Sequence, residues 1–305
     1  MSDGLVMMFG GKGGVGKTTC AAATALHYSR IGKRTLAVST DATPSLSHIF
    51  EADGKNRITE VADNLSFSEL GQDVVREMWD KKFGHEVHEV FSSFVSIRYD
   101  EFTEFMTSVL PGLADEFMVD YTRELVASEA FDAIVWDTAP MGQTLALLKT
   151  PELLAKHLRM APRIYSRLKV GERSKEPVLN ILRRWGKLSA TNMEFLRTQV
   201  KVTLVTIAEA LAVEQLDGIL GELHRGGIEA QQLIVNHLVK DESSEFLRTR
   251  AAGQKKYLDM VYQKCSRLKI IELPLSPVEI RGLQKLEKVA GILFPAVDSQ
   301  PSSVS

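Results

Sequence analysis

An α/β fold built on a doubly wound, mainly parallel sheet is what this 305-residue sequence predicts. Three observations predict it. Short apolar runs rich in Val, Ile and Leu recur between turn residues, and most do not alternate with polar residues, as expected of strands covered on both faces. Helical patterns lie between the runs, giving a β-α-β-α order. The first run also leads through a glycine-rich loop, "GGKGGVGKTT", straight into a helical pattern.

Taken in order, Leu5 to Phe9 is the first strand and Gly10 to Thr19 the loop. Thr18 to Ile31 reads as a helix stopped by Gly32, and Thr35 to Ser39 as the next strand. Leu65 to Leu70 alternates polar and apolar residues and is expected at a sheet edge. From 73 to 125 the pattern is helical without a clear strand. Phe83, Val87, Val90, Phe91, Phe94 and Val95 follow i, i+3, i+4 spacing, as do Phe102, Phe105, Met106, Val109, Leu110 and Leu113. Ala133 to Trp136 is a strand. A second helical block spans 151 to 198, with Leu154, Leu158, Ala161, Tyr165 and Leu168 on one stripe and Leu182, Trp185 and Leu188 beginning another. Gly171 to Pro177 between them reads as a charged loop. Val202 to Ile207, Leu233 to Val235 and Leu268 to Leu273 complete the strands. The expected organisation is one domain over 1–305, with a helical subdomain from about 73–125 and 151–198 and a frayed tail at 298–305.

Composition narrows the function classes. Hydrophobic residues are 44% and charged residues 25%, with a formal net charge of -2, so no global basic field argues for nucleic acid. Two cysteines make no disulfide framework and suit a reducing, cytoplasmic setting. No signal peptide is expected from a start that is acidic at Asp3. No apolar run approaches the roughly 18 residues of a membrane span.

Gly11-Lys-Gly-Gly-Val-Gly-Lys17-Thr18 fits the P-loop pattern G-x-x-x-x-G-K-[ST] between a strand and a helix. Gly11, Gly13, Gly14 and Gly16, with Lys12, Val15 and Thr19, would turn backbone N–H groups toward phosphate oxygens, and the helix N-terminus adds partial positive charge. Lys17 should reach the β- and γ-phosphates of ATP, and the Thr18 hydroxyl should hold Mg²⁺. Asp137 ends the run Ala133 to Trp136, where a carboxylate that holds Mg²⁺ through water belongs. Asp41 follows just after the strand Thr35 to Ser39 and is placed to orient attacking water. Turn or cap roles are the alternatives for both aspartates.

Lys12 is a second lysine in a loop that already has one. "KGGVGKT" resembles the deviant Walker A of the signal-recognition-particle, MinD and BioD class of P-loop ATPases. The resemblance implies a signature lysine, here Lys12, that works in trans in a nucleotide-sandwich dimer. More narrowly, the sequence resembles the arsenical-pump and tail-anchored-protein targeting ATPase family. "STDATPSLSHIF" resembles its switch I and "FDAIVWDTAPMGQTLALLKTPE" its switch II. "SVLPGLADEF", "VTIAEALAVEQ", "LIVNHL" and "ELPLSPVEIRGLQKLEKVAGIL" resemble further family segments. It implies catalysis by Asp41, a base-reading Asn236, a Glu209 that bridges to nucleotide across the dimer, and a loop from Pro274 to Arg281 beside the adenine. A turn role for Asn236 and a solvated charge for Glu209 are the bland alternatives. Switch I departs from the family at Ala42-Thr-Pro44, and switch II at Met141, Gln143 and Ala146.

Pump ATPases of this kind usually have two fused halves and a cysteine triad. This chain has one half, with Cys20 and Cys265 far apart, too few thiolates for a metalloid. The targeting reading fits better. It requires an apolar groove, expected from Phe102, Phe105, Met106, Val109, Leu110, Leu154, Leu158, Leu182 and Trp185. Ordinary core packing is the alternative for these stripes. Without a C-x-x-C motif no structural zinc is expected, and His85 and His88 are expected on a solvated helix face. The expectation is therefore a homodimeric ATPase using ATP and Mg²⁺. Its clients would be tail-anchored membrane proteins, received from it by a membrane receptor. A pump subunit or a metallocentre-maturation ATPase acting on a partner protein is the alternative.

Overall fold

The computed structural model describes residues 4–40, 45–54, 57–85, 88, 98, 99, 113–138 and 175–295. Among the described residues eight strands form one sheet: β1 (Leu5–Gly11), β2 (Thr35–Ser39), β3 (Thr59–Ala62), β4 (Leu65–Glu69), β5 (Ala133–Asp137), β6 (Val200–Ile207), β7 (Ala230–Leu238) and β8 (Lys269–Pro274). Their order is β3-β4-β2-β5-β1-β6-β7-β8. Every pairing is parallel except β3 with β4. The described helices are α1 (Lys17–Arg30), α2 (Leu46–Phe50), α3 (Gln72–Trp79), α4 (Leu113–Ala127), α5 (Lys175–Thr198), α6 (Ala210–Arg225), α7 (Glu245–Lys264) and α8 (Leu283–Leu293), with one π-helical turn at Asp80–Gly84.

Successive strand residues point to opposite faces, and two cores result. Val6, Met8, Leu36, Val38, Ile134, Trp136, Val202 and Leu204 face a layer that includes α4, α5, α6 and α7. Met7, Phe9, Ala37, Phe67, Val135 and Ile234 face α1, α2 and α8. This double cover is why the strands read as continuous apolar runs. Ala21, Ala22, Ala23 and Ala25 of α1 are fully buried. Small residues there let α1 lie close on the sheet, and larger ones would cost about 1–3 kcal/mol each through overpacking.

Two expectations are corrected. Leu65 to Leu70 is not at an edge, because β4 lies between β2 and the antiparallel β3. The four residues of β3 carry too little apolar pattern to announce a strand. Nor is all of Gly171 to Pro177 a loop, since α5 begins at Lys175; proline is tolerated in the first turn, where an N–H has no intrahelical acceptor.

The helical blocks are described in part. Asp120 of α4 is buried and pairs with Arg123 and with Lys82 from the π-helical turn. Arg123 Nε donates to Asn192 Oδ1 of α5 at 3.1 Å, so polar contacts join the two blocks. His85 and His88 both pack on the Tyr99 ring, and no metal-binding cluster of His, Cys, Asp or Glu occurs among the described residues. No described helix is long and apolar enough to cross a membrane.

Candidate nucleotide site

The parallel register brings the site together. Phe9 of β1 and Ser39 of β2 both lie level with Asp137 of β5. The chain leaves β1 two residues beyond this row, so the loop Lys12–Gly16 starts beside the Asp137 carboxylate. Gly16 caps α1 in the left-handed conformation, at φ 91°, which glycine adopts without strain.

Close approach also requires these glycines. A Cβ on Gly11 would lie 2.2 Å from the Val205 carbonyl oxygen, and one on Gly16 would lie 2.2 Å from Asn236 Nδ2. Gly16→Ala therefore meets both a forbidden φ and a buried amide. It is expected to lower nucleotide affinity by about a hundredfold or more, through strain of roughly 1–3 kcal/mol plus displacement of Asn236. Titration of ADP into the folded variant checks this.

Inside the loop the Lys17 ammonium, itself buried, donates to the Lys12 carbonyl at 3.2 Å. The Thr18 hydroxyl donates to Asp137 Oδ2 at 2.7 Å, and the Ser39 hydroxyl reaches the same oxygen at 3.5 Å. Asp137 is 1% exposed. Its oxygens and the Thr18 hydroxyl form a hard donor set of the kind Mg²⁺ takes. The loop's backbone cradle, which side chains at Gly11 and Gly16 would fill, fits a phosphate chain. Lys12 is exposed and makes no ion pair among the described residues.

A cleft of about 380 Å³ opens beside Thr18 and Thr19, lined by Ser45, His48 and Ile49, by Asn236 and His237, and by Pro274 to Arg281 except Pro277. Asn236, Pro274, Arg281, Thr18 and Thr19 are thus brought together. Asn236 is buried; its Nδ2 donates to the Val15 carbonyl at 2.9 Å, and its Oδ1 accepts from the His237 N–H at 2.8 Å. One proton on Nδ2 and one lone pair on Oδ1 remain for a ligand. His237 sits at φ 58°, beside a shift in register between β7 and β8. Strained non-glycine residues of this kind gather at ligand sites. Burial first, then the Arg250 charge, hold the His237 ring below the ordinary imidazole range, with Glu209 opposing. Glu209 stands outside this lining. It caps α6 by its backbone and lies 3.7 Å from Arg250.

Asp41 lies outside the described residues, as do Phe102, Phe105, Met106, Val109, Leu110, Leu154 and Leu158. Leu182 falls in α5 with no side chain described. Trp185 is half-buried and packs against the core on the α4–α7 face of the sheet. Sequence reasoning missed Ser39, His48 and His237. A strand-end serine level with Asp137 was the available signal for the first. For the other two the signal was position: His48 lies within "STDATPSLSHIF", and His237 follows Asn236 within "LIVNHL".

The cysteines are apart. Cys20 belongs to the core on the α1 face and Cys265 to the core on the other face. Both are buried. Burial first, then the Asp137 charge, push the Cys20 thiol up to about 12. Burial also raises Cys265. Neither thiol should react with an aromatic disulfide reagent in the native protein at neutral pH, and both should react at once in guanidinium.

The model of the family described as "Anion-transporting ATPase" matches residues 5–295. The "Putative arsenical pump-driving ATPase 2" of Aquifex aeolicus is 29% identical, over 94% of this chain and 98% of its own. A "Putative arsenical pump-driving ATPase" of Prosthecochloris vibrioformis is 28% identical, over 98% of this chain and 77% of its own. "ATPase get3" of Neurospora crassa is 26% identical, over 93% and 88%.

Proposed function

The chain belongs to the anion-transporting ATPase family, and from that premise we propose that it is an ATP-hydrolysing dimeric switch that binds tail-anchored membrane proteins and delivers them to a membrane receptor. The enzyme is an ATPase, and the family uses nucleotide and Mg²⁺. The Lys17 ammonium, which donates to the Lys12 carbonyl, would exchange that acceptor for phosphate oxygens. Thr18 and Asp137 would hold Mg²⁺, which neutralises charge developing on the transferring phosphate. Asp41 would orient the attacking water. Asn236 and the Pro274–Arg281 loop would hold the base.

The observation that carries the choice of cargo is the placement of the cysteines. A soft metalloid wants several thiolates together, and this chain buries its two thiols in separate cores. A client helix asks instead for apolar surface, because some 20 residues of membrane span left in water cost roughly 25 cal/mol per Å². The helical blocks, paired across a dimer, would provide that groove. The names of relatives divide between pump-driving and get3 ATPases, so the arsenite-pump subunit is the reading to be tested against.

The test is capture of a client. The protein is co-expressed with a model tail-anchored protein, with and without its terminal membrane helix, in wild-type and Asp41→Asn forms. A complex that survives purification only with the helix present supports targeting. No helix-dependent complex in either form, together with ATPase activity stimulated by arsenite, would sink it.

A further inference from the structure

The helix α2 contributes Ser45, His48 and Ile49 to the cleft, yet it has no cap of its own. Ser45 occupies the N-cap position and makes no side-chain cap hydrogen bond. The cap comes from Glu69 at the end of β4. One oxygen of that carboxylate, Oε1, accepts from the N–H groups of Ser45 at 2.6 Å, Leu46 at 2.6 Å and Ser47 at 3.2 Å. A carboxylate on three successive amides satisfies donors that a short helix leaves open, and each bond is charge-assisted.

The other end of α2 holds a second wall of the cleft. The His48 carbonyl accepts from Arg281 Nε at 3.2 Å, and the Ile49 carbonyl accepts from the Gly282 N–H at 2.9 Å. A Cβ on Gly54 would come within 3.2 Å of Glu69 Oε2, and one on Gly282 within 2.7 Å of Glu51 Oε2. Glycine at both positions leaves the carboxylates room. A continuous set of contacts thus runs from β4 through α2 to the loop after Pro274. The phosphate end of the site, made by Lys17, Thr18 and Asp137, is built from other elements.

We propose that Glu69 is a positioning residue for nucleotide binding. Its carboxylate seats α2, and through α2 the Pro274–Gly282 wall, against the part of the nucleotide beyond the phosphates. This deepens the reading of the cleft as the nucleotide site and rests on it. Two probes separate the parts: ADP uses the whole cleft, whereas inorganic pyrophosphate uses the phosphate cradle alone.

Calorimetric titration of both probes into wild type, Glu69→Ala and Glu69→Gln is the experiment. Glu69→Ala should weaken ADP by about tenfold or more, the order expected for hydrogen bonds to a charged group, and leave pyrophosphate within about twofold. Glu69→Gln keeps an acceptor oxygen and should recover about half of the loss on a logarithmic scale. ADP affinity unchanged in Glu69→Ala, or equal weakening of both probes, overturns the proposal. Where Glu69→Ala does not fold, Glu69→Gln carries the same comparison, with a selective loss of about threefold expected. Wild type that binds neither probe removes the nucleotide reading and this proposal with it.

Discussion

Lys12→Ala should lower ATP turnover by about a thousandfold and leave ADP affinity within about threefold, if Lys12 acts as a finger in trans. The structure gives Lys17 and Lys12 different surroundings. Lys17 is buried against the Lys12 carbonyl, and its loss would remove ground-state and transition-state contacts alike. Lys12 is exposed, so its side chain is available to a neighbouring nucleotide. A charge that stabilises only the transition state lowers kcat and leaves binding alone.

Mixing decides between trans and cis. Lys12→Ala and Asp41→Asn proteins should each be nearly inactive. In a mixed dimer, the site on the Lys12→Ala subunit keeps its own Asp41 and receives Lys12 from its partner. Random pairing makes half the dimers mixed, each with one complete site, so about a quarter of wild-type activity should return. A lysine that works on its own nucleotide would restore nothing. Absence of recovery under conditions where the two proteins exchange subunits overturns the trans assignment.

Much of this was legible in the sequence, for identifiable reasons. Strands covered on both faces show as unbroken apolar runs, so β1, β2 and β5 could be read from their apolar residues. β3 could not, because Thr59–Ala62 is only partly covered and pairs at an edge. The P-loop was legible because φ 91° at Gly16 and contacts of 2.2 Å at Gly11 and Gly16 admit only glycine, and such demands leave a pattern of residue types. Glu69 left none. Its partners are main-chain amides of Ser45, Leu46 and Ser47, which any residues but proline would supply. Arg281 likewise donates to a carbonyl. Side chain to backbone contacts between distant segments are invisible to motif reading, and they build the wall of the cleft away from the phosphate loop.

Asp137→Asn is expected to uncouple nucleotide binding from Mg²⁺ and to lower turnover by about a thousandfold, with little loss of folding stability. The small stability change follows from geometry. Asp137 Oδ2 accepts from Thr18 at 2.7 Å and from Ser39 at 3.5 Å. An asparagine oxygen accepts from the same hydroxyls, so neither donor is left without an acceptor. What the amide cannot supply is the charge. At 1% exposure the carboxylate is shielded from water, and its field reaches Cys20 strongly enough to help raise that thiol. A buried negative charge in a dry setting attracts a cation far more than the same charge in water. Wild type should therefore bind ADP at least tenfold more tightly with Mg²⁺ than with a chelator, and Asp137→Asn should bind it about equally in both. Thr18→Val serves as the counterpart: it deprives the buried carboxylate of a donor, and should lower stability by about 1–3 kcal/mol while keeping part of the Mg²⁺ response. If Asp137→Asn retains the Mg²⁺ dependence of ADP binding, the cation is held by other residues and the carboxylate serves only to anchor Thr18.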